Sequence, residues 1–421
     1  EAAGNVTITS TSGGAVVATA DTKGGGFIGV GAATATVNYT NTNTAFIGTA
    51  VGDINAVTGE GTAPQVRADG ARVVAGGDFR LAAETGVTVH SHAAALGAGF
   101  IGVATATAAN HLTSHTNVLV GSGATIQARS VAVDAQVTKL LATADTVATA
   151  GGFGGGATAD SVNDVRSTTN ALLEGTLASP TQIEGREGVD VHATHEDVVL
   201  DRNTDARWYG LFGGPRAPGS NTGALENTVD SDTGVRVTAA TRPADTALDT
   251  DLPPGAGRVA VFVQANNDSV HLIENNEEHD DAPVERTVND IQWDSDITVY
   301  AGPAPELVIG PDGKVVRAVN VTVNGLPNPA PGTDFSGAAR IDVGDIQVQS
   351  PGQIVFQATN KIAGGDQVIG GHRWGTFVFS DGYQSVRITN ASDKDLVLHT
   401  ITVAPAAPSG QAPVLLVQAT G

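Results

Sequence analysis

The densest group of charged side chains in the sequence surrounds His279. It comprises six carboxylates, Glu274, Glu277, Glu278, Asp280, Asp281 and Glu285. Carboxylate oxygens are ligands that Ca²⁺ prefers, so part of this group could hold the ion. The candidate metal ligands are Glu277, Glu278, Asp280 and Asp281. The stretch lacks the Asp-x-Asp-x-Asp-Gly spacing of a calcium loop, and a solvated acidic loop held open by its own charge is the alternative.

Three pairs of histidines have spacings that a metal site could use: His90 with His92, His111 with His115, and His192 with His195. On a strand, His192 and His195 would point to opposite faces, which disfavours a shared ligand set. The other two pairs would each share a face, but no acidic residue is adjacent in sequence to His111 and His115. The histidines therefore predict no specific metal site.

Other side chains could act on carbohydrate. The candidate groups are Asp381 with Arg373, and Asp342 with Asp345 and Arg340. Such residues could abstract a proton or hydrolyse a glycosidic bond, but carboxylates are common in any acidic chain. The bulky aromatic residues could stack on sugar rings or seal an end of the fold, and they are Trp208, Tyr209, Trp293, Tyr300 and Trp374. No constellation stands out, and no catalytic residue is predicted.

The composition limits the classes of partner. The formal net charge of −22 disfavours nucleic acid and anionic membranes. Cys is absent, which excludes disulfides and thiolate metal sites, and the absence of Met predicts a processed chain or a segment of a longer one. No apolar stretch approaches the roughly 18–20 residues that span a bilayer, so no membrane insertion is predicted. The 53 Gly residues and 4% aromatics favour thin layers of small side chains.

A sequence phrase recurs as far as residue 301. It couples an apolar-x-apolar-x-Ala strand to a Gly-rich apolar run. The strand copies lie at residues 6–8, 79–83, 131–135, 189–193, 235–239 and 297–301, and the runs at 24–31, 97–104, 151–156, 210–214 and 255–262. Self-similarity on this scale predicts stacked units rather than one compact core. A period near 55 residues would hold two or three coils of about 20–25 residues each.

Within the phrase, residues 27–47, 100–120 and 153–173 align without gaps. Alternation with a period of two predicts strands, including residues 137–149, where Ala and Leu imitate a helix. The stretch rich in Asn, Ser and Thr in each copy predicts a turn, after which the chain returns as a short apolar strand.

Two regions are predicted. Residues 1–301 form a β-solenoid of repeats of about 55 residues, and residues 302–421 form a β-rich segment that continues the coils, caps them or folds as a small sandwich. Loops are predicted where the copies differ, since a solenoid tolerates insertions there. These loops are residues 51–64, 214–224, 240–257 and 275–290.

The first copy of the phrase resembles a known kind of repeat. Residues 29–33, GVGAA, followed by residues 43–48, NTAFIG, resemble the repeats of very large bacterial exoproteins, the filamentous-haemagglutinin-like and autotransporter-like adhesins. The second copy departs from that pattern at residues 116–118, and the third loses the Val-Gly of its run. The resemblance covers residues 1–301, and residues 340–403 more loosely. It carries no catalytic residue.

The resemblance implies a right-handed parallel β-helix, an exported or cell-surface location, and a role in adhesion or in a surface fibre. We therefore expect a non-catalytic structural or adhesive segment of a large secreted or cell-surface bacterial protein, whose open ends offer a route to self-assembly. The expected partners are neighbouring copies, flanking segments of the same protein, and glycans of a host or the environment. The alternatives are a β-helical polysaccharide lyase or glycoside hydrolase, and a module stabilised by Ca²⁺.

Overall fold

The computed structural model describes residues 1–51, 65–67, 71–176, 178–232, 234–239 and 259–279, and beyond them only strands. Every regular element in the described chain is a β-strand. The strands are β1 (Val6–Ile47), β2 (Thr49–Val51), β3 (Gln65–Arg67), β4 (Arg72–Val74), β5 (Phe79–Val120), β6 (Thr125–Ala128), β7 (Val131–Leu173), β8 (Thr181–Gly185), β9 (Val189–His195), β10 (Val198–Arg216), β11 (Gly219–Ser231), β12 (Val235–Ala239), β13 (Val259–His279), β14 (Val288–Thr298), β15 (Val319–Asn324), β16 (Thr333–Val343), β17 (Gln347–Gln349), β18 (Gln353–Ala363), β19 (Asp366–Ile369), β20 (His372–Thr376), β21 (Gln384–Asn390), β22 (Ile401–Val403) and β23 (Val414–Ala419). None of the described residues forms a helix long and apolar enough to cross a membrane.

The long strands lie side by side, parallel and in register. Val6 pairs with Phe79, and Ile47 pairs with Val120, so β1 and β5 stay aligned from end to end. Strand β5 pairs in parallel with β7, with one shift of the register between Thr85 and Gly86, and β7 pairs in turn with β9, β10 and β11. We call each copy a rung: rung 1 is residues 6–47, rung 2 is 79–120, rung 3 is 131–173 and rung 4 is 189–231. The all-β prediction is confirmed, and the long parallel strands are consistent with a β-solenoid-like architecture.

Each copy of the phrase forms a single rung. Phe79 pairs directly with Val131, and Val131 pairs directly with Val189, so no further coil lies between successive copies. The expectation of two or three coils in each copy is therefore wrong. One rung accommodates so many residues because its strand, 43 residues long in β7, folds back on itself.

The two halves of a rung face each other across a narrow interior. The Ser12 hydroxyl donates to Asn41 Oδ1 at 2.6 Å in rung 1, and the Thr116 hydroxyl donates to Thr85 Oγ1 at 2.7 Å in rung 2. The chain reverses between the halves in the Gly-rich run. Gly155 adopts a φ of 136° in the run of rung 3, a value that favours glycine.

The predicted turn in the Asn/Ser/Thr stretch is wrong. In rung 3 this stretch lies inside β7 and remains extended, with alternate residues buried. Inward-facing polar side chains are stable there because they bond across the interior and along the stack, as Thr169 does to Asn227 at 2.5 Å. Residues 137–149, by contrast, lie in β7 as predicted.

A second sheet of short strands closes the wide end of the stack. Its order is β17-β12-β8-β6-β4, and Val73, Ile126, Ile183 and Val237 form one column in it. Residues 235–239 belong to this sheet, so their assignment to the column of Val131 and Val189 is wrong. The residue in register with Val189 is Val261, and that in register with Val261 is Ile354. The motif misleads because apolar-x-apolar-x-Ala fits any strand with one buried face.

Two other copies of the phrase lie in strands different from those predicted, again because the motif fits any strand with one buried face. Residues 259–262 of the predicted fifth Gly-rich run lie in β13, and residues 297–298 lie in β14, where Ile297 pairs with Val229 of the return half of rung 4. The predicted loop at residues 214–224 is instead largely strand, in β10 and β11. Residues 52–64 and 240–257 lie outside the described residues.

Parallel pairing continues beyond residue 301. Strand β16 pairs in parallel with β14, β17 with β12, and β18 with β13. Strands β15, β20 and β21 then pair in the antiparallel sense with β16, β19 and β18. The boundary between two regions at residue 301 stays a prediction.

The stack is wider than it is tall. Half of rung 1, residues 6–23, extends about 60 Å at roughly 3.3 Å per residue. Each further rung adds only about 4.8 Å, so the six strands in the column from Val6 to Ile354 rise about 25 Å. A single chain is therefore a slab, and a long fibre needs many more rungs.

The buried side chains are larger at one end of the interior than at the other. Val131, Val133, Ile126 and Ile183 fill the wide end beside the short strands. Alanines fill the narrow end beside the reversal, among them Ala106, Ala144, Ala148, Ala157 and Ala159. Small side chains let the two layers approach closely there, so the chain reverses within a few residues.

A ladder of buried asparagines lies between the apolar zones. Asn110 Nδ2 donates to Asn163 Oδ1 at 2.9 Å, and Asn163 Nδ2 donates to Asn221 Oδ1 at 3.0 Å. Asn163 Nδ2 also donates to the carbonyl of Asp201, at 2.9 Å, which lies on the facing half of the stack. The ladder therefore fixes both the register of the rungs and the alignment of the two layers.

The reversal yields a first prediction. Gly155→Ala should lower the free energy of unfolding by at least about 2 kcal/mol, because φ is left-handed and the new Cβ would lie 1.8 Å from the Gly102 carbonyl oxygen. The new Cβ of the neighbouring Gly154→Ala variant would lie 3.7 Å from its nearest contact, the Phe212 carbonyl oxygen, and this variant should be nearly neutral. Urea unfolding measures both, and equal effects would contradict the predicted geometry.

The ladder yields a second prediction. Asn163→Ala should destabilise the protein by about 2–3 kcal/mol, because it leaves buried partners without their hydrogen bonds. Asn170→Ala removes one bond, to Asn117 at 2.8 Å, in which the Asn170 side chain is partly exposed, and should cost less, about 1 kcal/mol. Thermal unfolding of the two variants compares them directly, and the reverse order would refute a stabilising ladder.

Candidate functional site

The acidic candidates around His279 lie at the end of β13 or beyond it. Glu277 and Glu278 are consecutive strand residues, in register with Asp205 and Ala206 of rung 4. Consecutive strand residues lie on opposite faces, so the two positions do not share one ligand face. The expected acidic loop is wrong over residues 275–279, which continue the strand. Asp280, Asp281 and Glu285 lie outside the described residues, and the Ca²⁺ site stays a prediction.

The carbohydrate candidates are only partly described. Arg340 and Asp342 lie two residues apart in β16, and Arg373 lies in β20. Asp345 and Asp381 lie outside the described residues. Where side chains are described, no three His, Asp or Glu residues are grouped to hold a metal ion.

The histidines follow the predicted strand faces. His192 lies on the outer face, 3.3 Å from Asp134, whereas His195 is completely buried. His90 lies 2.8 Å from Asp145 on the next rung. His111 has its acidic partner, Asp164, on the next rung as well, at 3.6 Å. These partners are more than 50 residues away in sequence, so spacing along the chain could not reveal them.

An ionic cluster on the outer face joins three rungs. Asp134 lies between Arg80 Nε, at 2.8 Å, and His192 Nδ1, at 3.3 Å. Burial raises the pKa of Asp134, but hydrogen bonds from His192 and Arg80 outweigh burial and hold that pKa below its usual value. The cluster therefore links neighbouring rungs through a carboxylate that stays ionised.

A pair of carboxylates lies beside His90. Asn203 Nδ2 donates to Asp145 Oδ1 at 2.6 Å and lies 3.3 Å from Asp201 Oδ1. Burial, followed by the charge of Asp145, raises the pKa of Asp201. A carboxyl group with a raised pKa beside a second carboxylate is a pattern that acid–base hydrolysis uses.

A row of aromatic rings follows the reversals of the four rungs. Phe27, Phe100 and Phe153 stack with ring centroids 5.1 Å apart and planes within 7°. Phe212 continues the row at 5.1 Å, turned edge-on. Phe27, Phe100 and Phe153 occupy equivalent positions of the Gly-rich run, so the in-register stack brings them together. Phe212 is in register with Gly154, one residue beyond Phe153, and extends the row from that position.

The rings point into solvent. Phe27 is 74% exposed and Phe212 is 64% exposed. We call this row and its apolar neighbours the aromatic ridge: Phe27, Ile28, Val30, Phe100, Ile101, Phe153, Tyr209, Leu211 and Phe212. Single exposed apolar residues are ordinary, but a contiguous row of them marks an interaction surface. The ridge is therefore the candidate functional site.

The local sequence forces the ridge outward. Backbone fills the interior of the reversal, since a Cβ at Gly29 would lie 2.1 Å from the Ala98 carbonyl oxygen. A large side chain at the apex has no room inside. Trp208 precedes the apex and is buried among alanines, whereas Tyr209, one residue later, is 62% exposed. The sequence signal for the ridge is a Phe that recurs within the Gly-rich runs.

Buried His195 generates a prediction for stability against pH. Burial lowers the pKa of His195 from 6.5 to about 4, although its hydrogen bond with Asn227 partly opposes this. The ring bonds Asn227 Oδ1 at 2.7 Å and Ser167 Oγ at 2.8 Å. Because the unfolded chain protonates first, stability is full above pH 6.5 and falls by about 3 kcal/mol as the pH drops to about 4.

Substitution separates this contribution from the carboxylates. His195→Asn should lessen the loss of stability between pH 6.5 and about 4, whereas His92→Asn on the outer face should leave it as in the wild type. Urea unfolding midpoints measured across this pH range give the slope of stability against pH for each variant. The same slope in both variants would mean that His195 does not titrate as the geometry requires.

The chain matches no protein-family model, and it has no significant match among curated proteins or among solved structures. The resemblance to exoprotein repeats therefore depends on the sequence motifs of the repeat, which match best at residues 29–33 and 43–48.

Proposed function

We propose that the chain is a non-catalytic structural and adhesive segment of a large secreted or cell-surface bacterial protein, built as a right-handed parallel β-helix. The observation that carries the proposal is the in-register pairing of consecutive copies of one phrase over four rungs. Such a stack gains stability from each rung in turn, so it can be lengthened without a new core. A structural scaffold benefits from being extended rung by rung, whereas an enzyme has no need of such extension.

The edge of rung 1 supports extension of the stack. Within the described residues, β1 pairs with β5 on one side only, apart from its fold-back contacts. An unpaired parallel edge of 42 residues is a strong template for another rung. Flanking segments of the same protein, or the last rung of a neighbouring copy, are the partners of matching geometry.

The outer surface supports an extracellular, adhesive role. A net charge of −22 keeps the stack soluble and away from nucleic acid. Polar side chains on the outer faces of the strands offer hydrogen bonds to glycans of a host or the environment. No bound metal or cofactor is required for either role.

The proposal is tested by measuring whether the chain attaches cells to glycans without cleaving the glycans. Fused to a surface anchor on a non-adherent bacterium, the chain should increase attachment to glycan-coated surfaces, and the glycans should remain intact. The Gly155→Ala variant, whose stack is weakened, should lose attachment, whereas Gly154→Ala should retain it. Cells that attach no better than those carrying the anchor alone would refute the adhesive role.

A glycoside hydrolase is the second candidate, and the Asp145–Asp201 pair favours it. The raised pKa of Asp201 beside a second carboxylate suits an acid–base pair. New reducing ends from a glycan panel, lost in Asp201→Asn and kept in Asp205→Asn on the same rung, would establish this activity and overturn the scaffold proposal. Intact glycans with all three proteins would exclude this pair as a catalytic site.

A further inference from the structure

The aromatic ridge carries no charged side chain. Residues 24–31, 97–104, 151–158 and 209–214 contain no Asp, Glu, Lys or Arg. The rest of the chain carries the net charge of −22, so acidic surfaces elsewhere on the chain repel an acidic partner. An approach along the ridge brings two acidic proteins together without placing like charges in contact.

The exposed area is large enough for a specific contact. The five aromatic side chains of the ridge are 47–74% exposed, which amounts to about 600 Å² at roughly 200 Å² per ring. Ile28 and Leu211, 59% and 75% exposed, enlarge this surface. The ridge therefore approaches the roughly 800 Å² that each partner contributes to a standard protein interface.

The regular spacing of the rings along the ridge indicates which partner would fit it. Its rings recur every 5.1 Å along the stack, with apolar residues beside them. A second ridge has the same repeat, so its rings can pack against the exposed edges of the first ridge at every rung. Identical side-chain ladders that pack against each other form the dry interfaces of paired β-sheets. A partner with another repeat loses this match after one or two rungs.

We propose that the aromatic ridge binds the aromatic ridge of a second copy, so that two stacks associate edge to edge. The inference rests on the proposed structural function and adds lateral pairing to growth along the stack. Two ridges would bury Phe27, Phe100, Phe153 and Phe212 of both copies against one another. Because the remaining surfaces repel, salt should strengthen the association by screening that repulsion.

Sedimentation velocity tests the pairing. The wild-type chain should form dimers that strengthen with added salt. The triple variant Phe27→Ser, Phe100→Ser, Phe153→Ser should raise the dimer dissociation constant at least about tenfold. The control variant Ile8→Ser, Val17→Ser removes exposed apolar groups away from the ridge and should dimerise as the wild type does. A monomeric wild type, or equal loss in both variants, would overturn the proposal.

Cross-linking locates the interface. Since the chain contains no Cys, Ile28→Cys introduces a unique thiol on the ridge and Val17→Cys a unique thiol elsewhere. Oxidation should join two copies of the first variant and leave the second monomeric. Equal yields would overturn the proposal, as would binding of the ridge to zwitterionic lipid vesicles without dimers. Failure to dimerise with adhesion intact would refute the lateral pairing alone and leave the proposed function standing.

Discussion

The parallel backbone ladder between successive copies is the constraint on which the structure depends. Its register places equivalent positions of each copy directly above one another, as with Ile28, Ile101 and Gly154. A property repeated in the sequence thereby becomes a column in space. The asparagine ladder, the alanine layers and the aromatic ridge are three columns of this kind, and each acts along the whole stack. A shift of the register by one residue would turn every column to the opposite face.

Folding each rung back on itself adds a second constraint, on side-chain size. The two layers must approach at the reversal and separate at the short-strand sheet. Alanines therefore occupy one end and Val, Ile and Leu the other. The polar residues between them, such as Asn163, are stable only because they bond both layers. The same narrowing expels Phe100 from the interior, so the apolar surface of the ridge is a consequence of the way the stack closes.

The sequence predicted the strands and the repeat because both depend on local pattern. Alternation identified the strand through residues 137–149, and the gapless alignment of residues 27–47 with 100–120 is the register of the ladder. The turn was misplaced because Asn and Ser favour turns in isolation, while here the neighbouring rungs supply their partners. Val235 was misplaced because two different sheets use one motif.

The candidate site could not be predicted from spacing along the chain. Phe27 and Phe100 are neighbours in space only because the intervening residues form one complete circuit. The pairs His90–Asp145 and His111–Asp164 arise in the same way, between residues that lie one rung apart. If successive copies of the phrase are aligned in the register of the ladder, however, residues that share a column can be identified from the alignment. A bulky residue that recurs within a Gly-rich run is then a sign of an exposed row.

The connections between rungs vary in length far more than the ladder, in which β7 has only one residue more than β5. Val6 pairs with Phe79, 73 residues later, whereas Phe79 pairs with Val131, 52 residues later. The extra residues leave the ladder at residue 47 and rejoin it at residue 79 without changing the register on either side. Since each rung contacts only its neighbours, such an insertion need satisfy only local constraints. The stack can therefore change its connections freely, while the columns that carry its interior and its ridge must keep their order.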